Sequence, residues 1–163
     1  MSLQSYIHND VHFGFNLDAE ANAHLQRAAA TVTSRKDSLE ALRQARQSAP
    51  NQLEVLIALY KFHFYQGDLQ KSEEIVFQTL VKASVQGGFS NEWKELTQDS
   101  SDWSDPRGPG RVFLYSLKAL AFIRLRQNNQ RDARRILSTL KRLDPQDMVG
   151  ADVIRDLLKG LSR

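Results

Sequence analysis

The chain has 163 residues, 41% of them hydrophobic and 25% charged, values of a globular protein long enough to bury a continuous core and not those of a disordered segment. It contains no cysteine, which excludes disulfides, thiolate metal sites and cysteine nucleophiles together. The formal charge is +3, but residues 1–85 sum to −1, 86–112 to −2 and 113–163 to +6, so an anionic partner meets the last third first.

Residues 1–18 form an N-terminal segment that lacks a basic start followed by an apolar run, so no secretory signal is expected. The most apolar stretch, Val112 to Leu125, is shorter than the roughly 20 residues that span a bilayer. A soluble, cytoplasmic protein is the expectation. Leu25, Ala28, Ala29 and Val32 mark a helix over 19–33, and Leu39, Leu42 and Ala45 a second over 35–48, with Ser34 and Asp37 placed as a capping box. Asn51 and Glu54 look like another box, opening a helix over 53–66 that carries Leu53, Leu56, Ile57, Leu59, Tyr60 and Phe64. Gly67-Asp68 ends that helix and caps the next, over 69–84. Gly87-Gly88 and Pro106-Arg107-Gly108-Pro109-Gly110 punctuate a stretch of different composition, about 86–112, in which Asn91 to Gln98 could form a short helix. A strongly apolar helix over 114–127 follows, Asn128-Asn129 turn the chain, and 130–143 forms its partner. Asp144-Pro145 stops that helix, and Asp147 caps a last one carrying Val149, Val153, Ile154, Leu157 and Leu158.

The helices come in pairs, and the pairs repeat. A shift of 34 residues sets Leu25 on Leu59, Ser38 on Ser72 and Leu42 on Val76; a further shift of 61 carries these to Leu120, Ala133 and Leu137. With Pro50 and Pro145 closing two of the units, this pattern resembles the tetratricopeptide repeat family, over about 19–85 and 114–147. Arg142-Leu143-Asp144-Pro145 and Gln66-Gly67-Asp68 are its most family-like words. The family's tryptophan, glycine and tyrosine positions depart: they read Asn22, Leu56 and Leu117, then Gln26, Tyr60 and Ala121, then Ala29, His63 and Arg124. The resemblance implies an all-α, right-handed superhelix of helical hairpins with a C-terminal capping helix, one domain over 19–163 with an insertion at 86–112.

It also implies a protein–protein interaction module, an adaptor or chaperone-like scaffold, that takes a peptide or helix in a concave groove lined by the first helix of each pair. Carried over, the groove surface carries Glu20, Ala23 and Arg27 from the first unit, Glu54, Ile57, Lys61, Phe64 and Tyr65 from the second, and Tyr115, Lys118, Phe122 and Arg126 from the third. Aromatic rings beside cations suit a partner that is partly acidic and partly apolar. The bland alternative is that Phe64, Tyr115 and Phe122 are core. The family's carboxylate clamp for acidic C-termini is disfavoured, because its positions read Ala23, Arg27, Ala58, Tyr115 and Ala119. A second reading makes the chain a nucleic-acid-binding repeat protein that uses Arg124, Arg126, Arg131, Arg134, Arg135, Lys141 and Arg142; the competing view is that the outward ones only keep the array soluble.

No catalytic motif appears, so no enzyme and no cofactor are expected. His8, Asp10 and His12 could hold a metal on one side of an extended segment, but with no partner in view to orient the histidines the trio reads as incidental. Asp99, Asp102 and Asp105 lack the glycine and closing glutamate of a calcium loop. In the insertion, Phe89, Trp93, Leu96 and Trp103 are too apolar for a solvated linker, so at least one tryptophan is expected to pack on a helix, and Trp93→Ala to destabilise the chain if that ring is the buried one; the rival reading leaves both rings exposed as anchors for a partner or a second copy.

Overall fold

The structure, a computed structural model, describes His24 and residues 34–161. The expected first helix, with Arg27, and the His8, Asp10 and His12 trio lie outside the described residues. Among those described there are six α-helices and no strand: α1 Arg35–Ser48, α2 Leu53–Tyr65, α3 Leu69–Gly87, α4 Pro109–Arg126, α5 Gln130–Leu143 and α6 Asp152–Leu161. The chain divides into two compact units, Met1–Gln78 and Thr79–Arg163, with the boundary inside α3. The fold is all-α and built from helical hairpins.

The repeat is visible in the backbone caps. Ser34, Asp68 and Asn129, spaced by 34 and 61 residues, stand at the same point before α1, α3 and α5. Each side chain accepts a hydrogen bond from the backbone N–H three residues on, at Asp37, Lys71 and Asp132. The two preceding helices end alike. Gly67 and Asn128 both adopt positive φ, and the next residue's N–H returns to a carbonyl five residues back, Asp68 to His63 and Asn129 to Arg124. Ala49 and Asp144 close α1 and α5 with nearly the same backbone angles. At the helix crossings the three small residues are equally buried: Ser38 is 1% exposed, Ser72 and Ala133 are 0%.

In the first unit, α2 is apolar almost all round, and Leu53, Val55, Leu56, Ile57, Leu59, Tyr60 and Phe62 are all buried. The α1 stripe Ala41, Leu42 and Ala45 is buried with them, and Ser72 donates from its hydroxyl to the Tyr60 carbonyl at 2.8 Å, so α3 approaches α2 closely where the repeat has its small residue. The Asn51–Glu54 capping box does not form. The N-cap is Gln52, with no side-chain capping bond, and Glu54 turns inward to 2% exposure. The apolar register of α2 overrides the capping preference.

In the second unit, α4 and α5 form a hairpin whose facing stripes, Val112 to Ile123 and Ala133 to Leu143, supply the core, and α6 packs on both through Ile154 and Leu158. Asp144 organises the exit from α5 by accepting from the backbone N–H groups of Met148 and Val149 at 2.9 and 3.0 Å. Asp147 then caps α6, accepting from Ala151 and Asp152. Lys118 on α4 donates to the Val149 carbonyl at 2.9 Å and fixes the same connection.

The insertion is shorter than expected, because α3 runs on to Gly87 and α4 starts at Pro109, the first-turn position where a proline's missing N–H costs nothing. Asn91 to Gln98 is not a helix; it forms turns that lead into a short 3-10 turn, Gln98–Ser100. One tryptophan is buried, and it is Trp103 rather than Trp93. Its ring packs edge-on against Phe89 at 5.2 Å and beside Phe113 of α4 at 6.2 Å, and its Nε1 donates to the Thr97 carbonyl at 2.9 Å. Trp93 is half-buried and lines a cleft of about 90 Å³ with Leu120 and Ile136.

Candidate functional site

The expected groove residues fall on one face of each of two helices. On α2, Ile57, Lys61 and Phe64 recur at helical spacing with Tyr65 beside them. Ile57 is 1% exposed and belongs to the core of its unit, as does Glu54. Lys61 and Phe64 are half-buried, and Tyr65, 37% exposed, meets Phe64 edge-on at 5.3 Å. On α4, Tyr115, Lys118 and Phe122 are half-buried and Arg126 is exposed. So Phe64, Tyr115 and Phe122 are not interior core residues; each keeps part of its ring at the surface. Lys118 serves two purposes: its ammonium lies 5.5 Å from the Tyr115 ring centre while it holds the Val149 carbonyl. A charge reversal there removes a structural bond, so Lys118→Glu is expected to lower stability and is not the neutral surface change that exposure alone suggests. Thermal denaturation of this variant beside Arg126→Glu tests the difference, with the Arg126 variant expected near wild type.

Several cations of the basic third unit are engaged internally. Arg142 donates to the carbonyls of Leu96, Trp93 and Lys94 at 3.1–3.2 Å, while Gln98 Nε2 reaches back to the carbonyls of Arg142 and Leu143. Arg142 is therefore a clamp that binds the insertion to the end of α5, not a charge set out for solubility. Bonds from a charged donor contribute about 1.5–3 kcal/mol where shielded and less where exposed. Arg142→Ala is expected to cost about 2 kcal/mol in urea unfolding, with Arg131→Ala near zero as the exposed control. Arg124 pairs with Asp132 at 3.7 Å, and Arg135 reaches the same carboxylate at 3.9 Å. Buried Arg111 donates to the Ser104 carbonyl and to Met148 Sδ, and its Nε is left without a partner.

The titratable groups do not assemble a reaction centre. Among the described residues no three His, Asp or Glu side chains stand where they could hold a metal together. Asp102 and Asp105 close turns instead: Asp102 accepts from the Ser104 hydroxyl and N–H, which holds its carboxyl below the usual range, and Asp105 accepts from the Arg107 N–H. His63 is buried with Nδ1 unpartnered, and desolvation pulls its pKa down despite the nearby Asp68. Burial pushes the Glu54 carboxyl up from its ordinary value, and its Oε1 also lacks a partner. A raised folded-state pKa means that the native state holds the proton longer, so stability falls as pH rises from about 4.5 through the folded value. Glu54→Gln is therefore expected to raise the unfolding free energy at neutral pH by on the order of 1 kcal/mol, a gain that shrinks as pH falls through the folded value and is gone below about pH 4.5. Urea titrations at acid and neutral pH measure it.

One groove was not anticipated from the sequence. It opens along the seam of α5 and α6 in the second unit, with a volume of about 690 Å³, and its lining includes Leu137 and Leu158, which are themselves only 3% and 4% exposed. The signal was present: Arg134, Leu137, Ser138 and Lys141 make one stripe of α5, and Arg155, Leu158 and Lys159 one stripe of α6. Assigning the outward cations of α5 to solubility hid it. No helix among the described residues is long and apolar enough to cross a membrane.

Comparison with known proteins adds little. No family model matches the chain, and no solved structure matches it. One curated protein is similar, described as an uncharacterized 19.8 kDa protein in the nifW 5' region of Azotobacter chroococcum mcd 1; it is 26% identical over 119 residues, which cover 72% of this chain and 67% of that protein.

Proposed function

We propose that the protein is a helical-repeat interaction module of tetratricopeptide type, an adaptor that works in the cytoplasm by binding a segment of another protein. The observation that carries this reading is the threefold recurrence of one local design. Ser34, Asp68 and Asn129 cap their helices identically at spacings of 34 and 61, and Ser38, Ser72 and Ala133 are buried at matching positions four residues on. Repetition of a hairpin that buries one face against its neighbour is how repeat arrays build binding surfaces. Each unit by itself carries partly exposed rings and cations on its first helix, Lys61, Phe64 and Tyr65 on α2 in one and Tyr115, Phe122 and Arg126 on α4 in the other, which offer large rigid contact area and charge.

The nucleic-acid reading is weaker, since Arg124 and Arg142 are committed within the fold. The test is a photo-crosslinking residue placed at Tyr65, followed by identification of the joined peptide and titration of that partner against Tyr65→Ala and Lys61→Glu. A loss of about tenfold in affinity with little change in melting temperature supports the proposal. Undiminished partner binding by both variants overturns it. So does tight binding of an oligonucleotide with a steep salt dependence.

A further inference from the structure

Arg111 stands in the first turn of α4 and is only 7% exposed. A guanidinium does not deprotonate in a protein, and a buried charge ordinarily has a counter-charge, because taking it out of water is costly. No carboxylate among the described residues pairs with this one. Its Nη2 donates to the Ser104 carbonyl at 3.1 Å and to Met148 Sδ at 3.4 Å, and its Nε, fully covered, has no partner. A thioether is a weak acceptor and does little for a positive charge.

The acidic residues of the neighbouring segments are engaged elsewhere. Asp144 accepts from the backbone N–H groups of Met148 and Val149, and Asp147 holds the start of α6 and Arg155. Asp102 and Asp105 close turns on Ser104 and Arg107, and Asp105 also lies beside Gly108 at the head of α4. A second cation adds to the imbalance. Lys118, two turns along the same face of α4, donates to the Val149 carbonyl at 2.9 Å, so both cations meet the connection between α5 and α6. Met148, the residue against Nη2, is 50% exposed, and its unbranched side chain has three rotatable bonds with which to swing aside.

We infer that Arg111 anchors an oxyanion-binding site, in which a terminal phosphate or carboxylate group displaces the Met148 thioether and takes two parallel hydrogen bonds from Nε and Nη2. Those two nitrogens share one edge of the guanidinium plane, the edge that matches two oxygens of such a group. The second Nη2 proton stays on the Ser104 carbonyl. The missing counter-charge selects the occupant, since an apolar or cationic group leaves Nε as it is. The depth of Arg111 selects a terminal group over the diester backbone of a nucleic acid, which brings a sugar on either side. The site stands whether or not the rings of α2 and α4 receive a peptide.

The test uses the full chain. The Arg111 Nε–H, shielded from water, should give a slowly exchanging nitrogen–proton correlation in NMR, assigned by its loss in Arg111→Lys. Inorganic phosphate, added at constant ionic strength and neutral pH, should shift that signal along a saturable curve, half-complete at or below about 10 mM. Dimethyl phosphate, a diester, should shift it far less. Acetate is the second arm: a comparable saturable shift extends the site to carboxylates, and none confines it to phosphate, both within the proposal. Met148→Glu supplies the missing carboxylate from the chain itself. It should raise the melting temperature by about 2–4 °C and abolish the response to phosphate. About 50 mM phosphate should raise the wild-type melting temperature by about 2 °C more than that of Met148→Glu or Arg111→Met, since its general salting effect is common to all three. Met148→Glu, a change at a half-exposed position, keeps the comparison decisive even where Arg111→Met fails to fold. The proposal is overturned if the Arg111 signal does not shift with phosphate or shifts without saturating, or if dimethyl phosphate shifts it as far. It is overturned as well if phosphate stabilises wild type and variants equally, or if Met148→Glu leaves the phosphate response intact.

Discussion

Replacing Trp103 by alanine should lower the unfolding free energy of the second unit by about 3–5 kcal/mol, the cost of deleting a large buried aromatic side chain. The ring is 5% exposed, and it is the centre of a cluster in which Phe89 meets Phe113 edge-on at 5.1 Å and Trp103 lies against both. Its removal leaves a cavity between the insertion and the first turns of α4, where the absence of a side chain at Gly110 lets Ser101, Asp102 and Trp103 approach within van der Waals reach. It also removes the donor to the Thr97 carbonyl, which helps shape the 3-10 turn that presents Gln98 to α5. Trp93→Ala should cost less, about 1–2 kcal/mol, because its ring is only half-buried. Urea unfolding of the two variants in parallel gives the comparison. Equal costs would mean that the insertion is not anchored where we place it. A fluorescence measurement on Trp93→Phe provides a second check, since the remaining Trp103 should resist an ionic quencher in the native chain.

The helices were legible because their signals are local. The bounds expected for α1, α2 and α5 agree with the structure to within a residue or so, and the capping roles of Ser34, Asp68 and Asp147 needed only a small polar side chain before an apolar period. Where local and long-range signals competed, the long-range one won. Asn51-x-x-Glu54 has the pattern of a capping box, yet Glu54 lies on a helix buried nearly all round, and its register sends the carboxylate inward. The insertion was opaque for the same reason. Nothing near Trp93 or Trp103 in sequence distinguishes them; Phe89, Phe113 and the end of α5 decide which ring is covered. Charge was the least legible quantity. A row of arginines on an outward helical face reads as solvation until Arg142 is found holding the carbonyls of a loop nearly fifty residues away, and until α6 closes the other wall of the α5 groove.

The repeat itself can be tested by enlarging the small residue that marks each helix crossing. Ser72→Leu and Ala133→Leu each force a branched side chain into a point with no exposed surface, and each should cost about 2–3 kcal/mol in overpacking. The serine variant should cost the more, because it also abolishes the 2.8 Å bond to the Tyr60 carbonyl and leaves that acceptor to its helical partner alone. Ser72→Ala separates the two effects, since it keeps the space and removes only the hydroxyl, for an expected loss of about 1 kcal/mol. Leucine at Arg131 or Gln70, exposed neighbours on the same helices, should change stability by no more than about 0.5 kcal/mol. If the period of 34 and 61 marks equivalent crossings, the buried pair moves together and the exposed pair does not. Should Ala133→Leu be accommodated while Ser72→Leu is not, the two hairpins pack by different rules, and the matching caps reflect ordinary helix termination rather than a repeated unit.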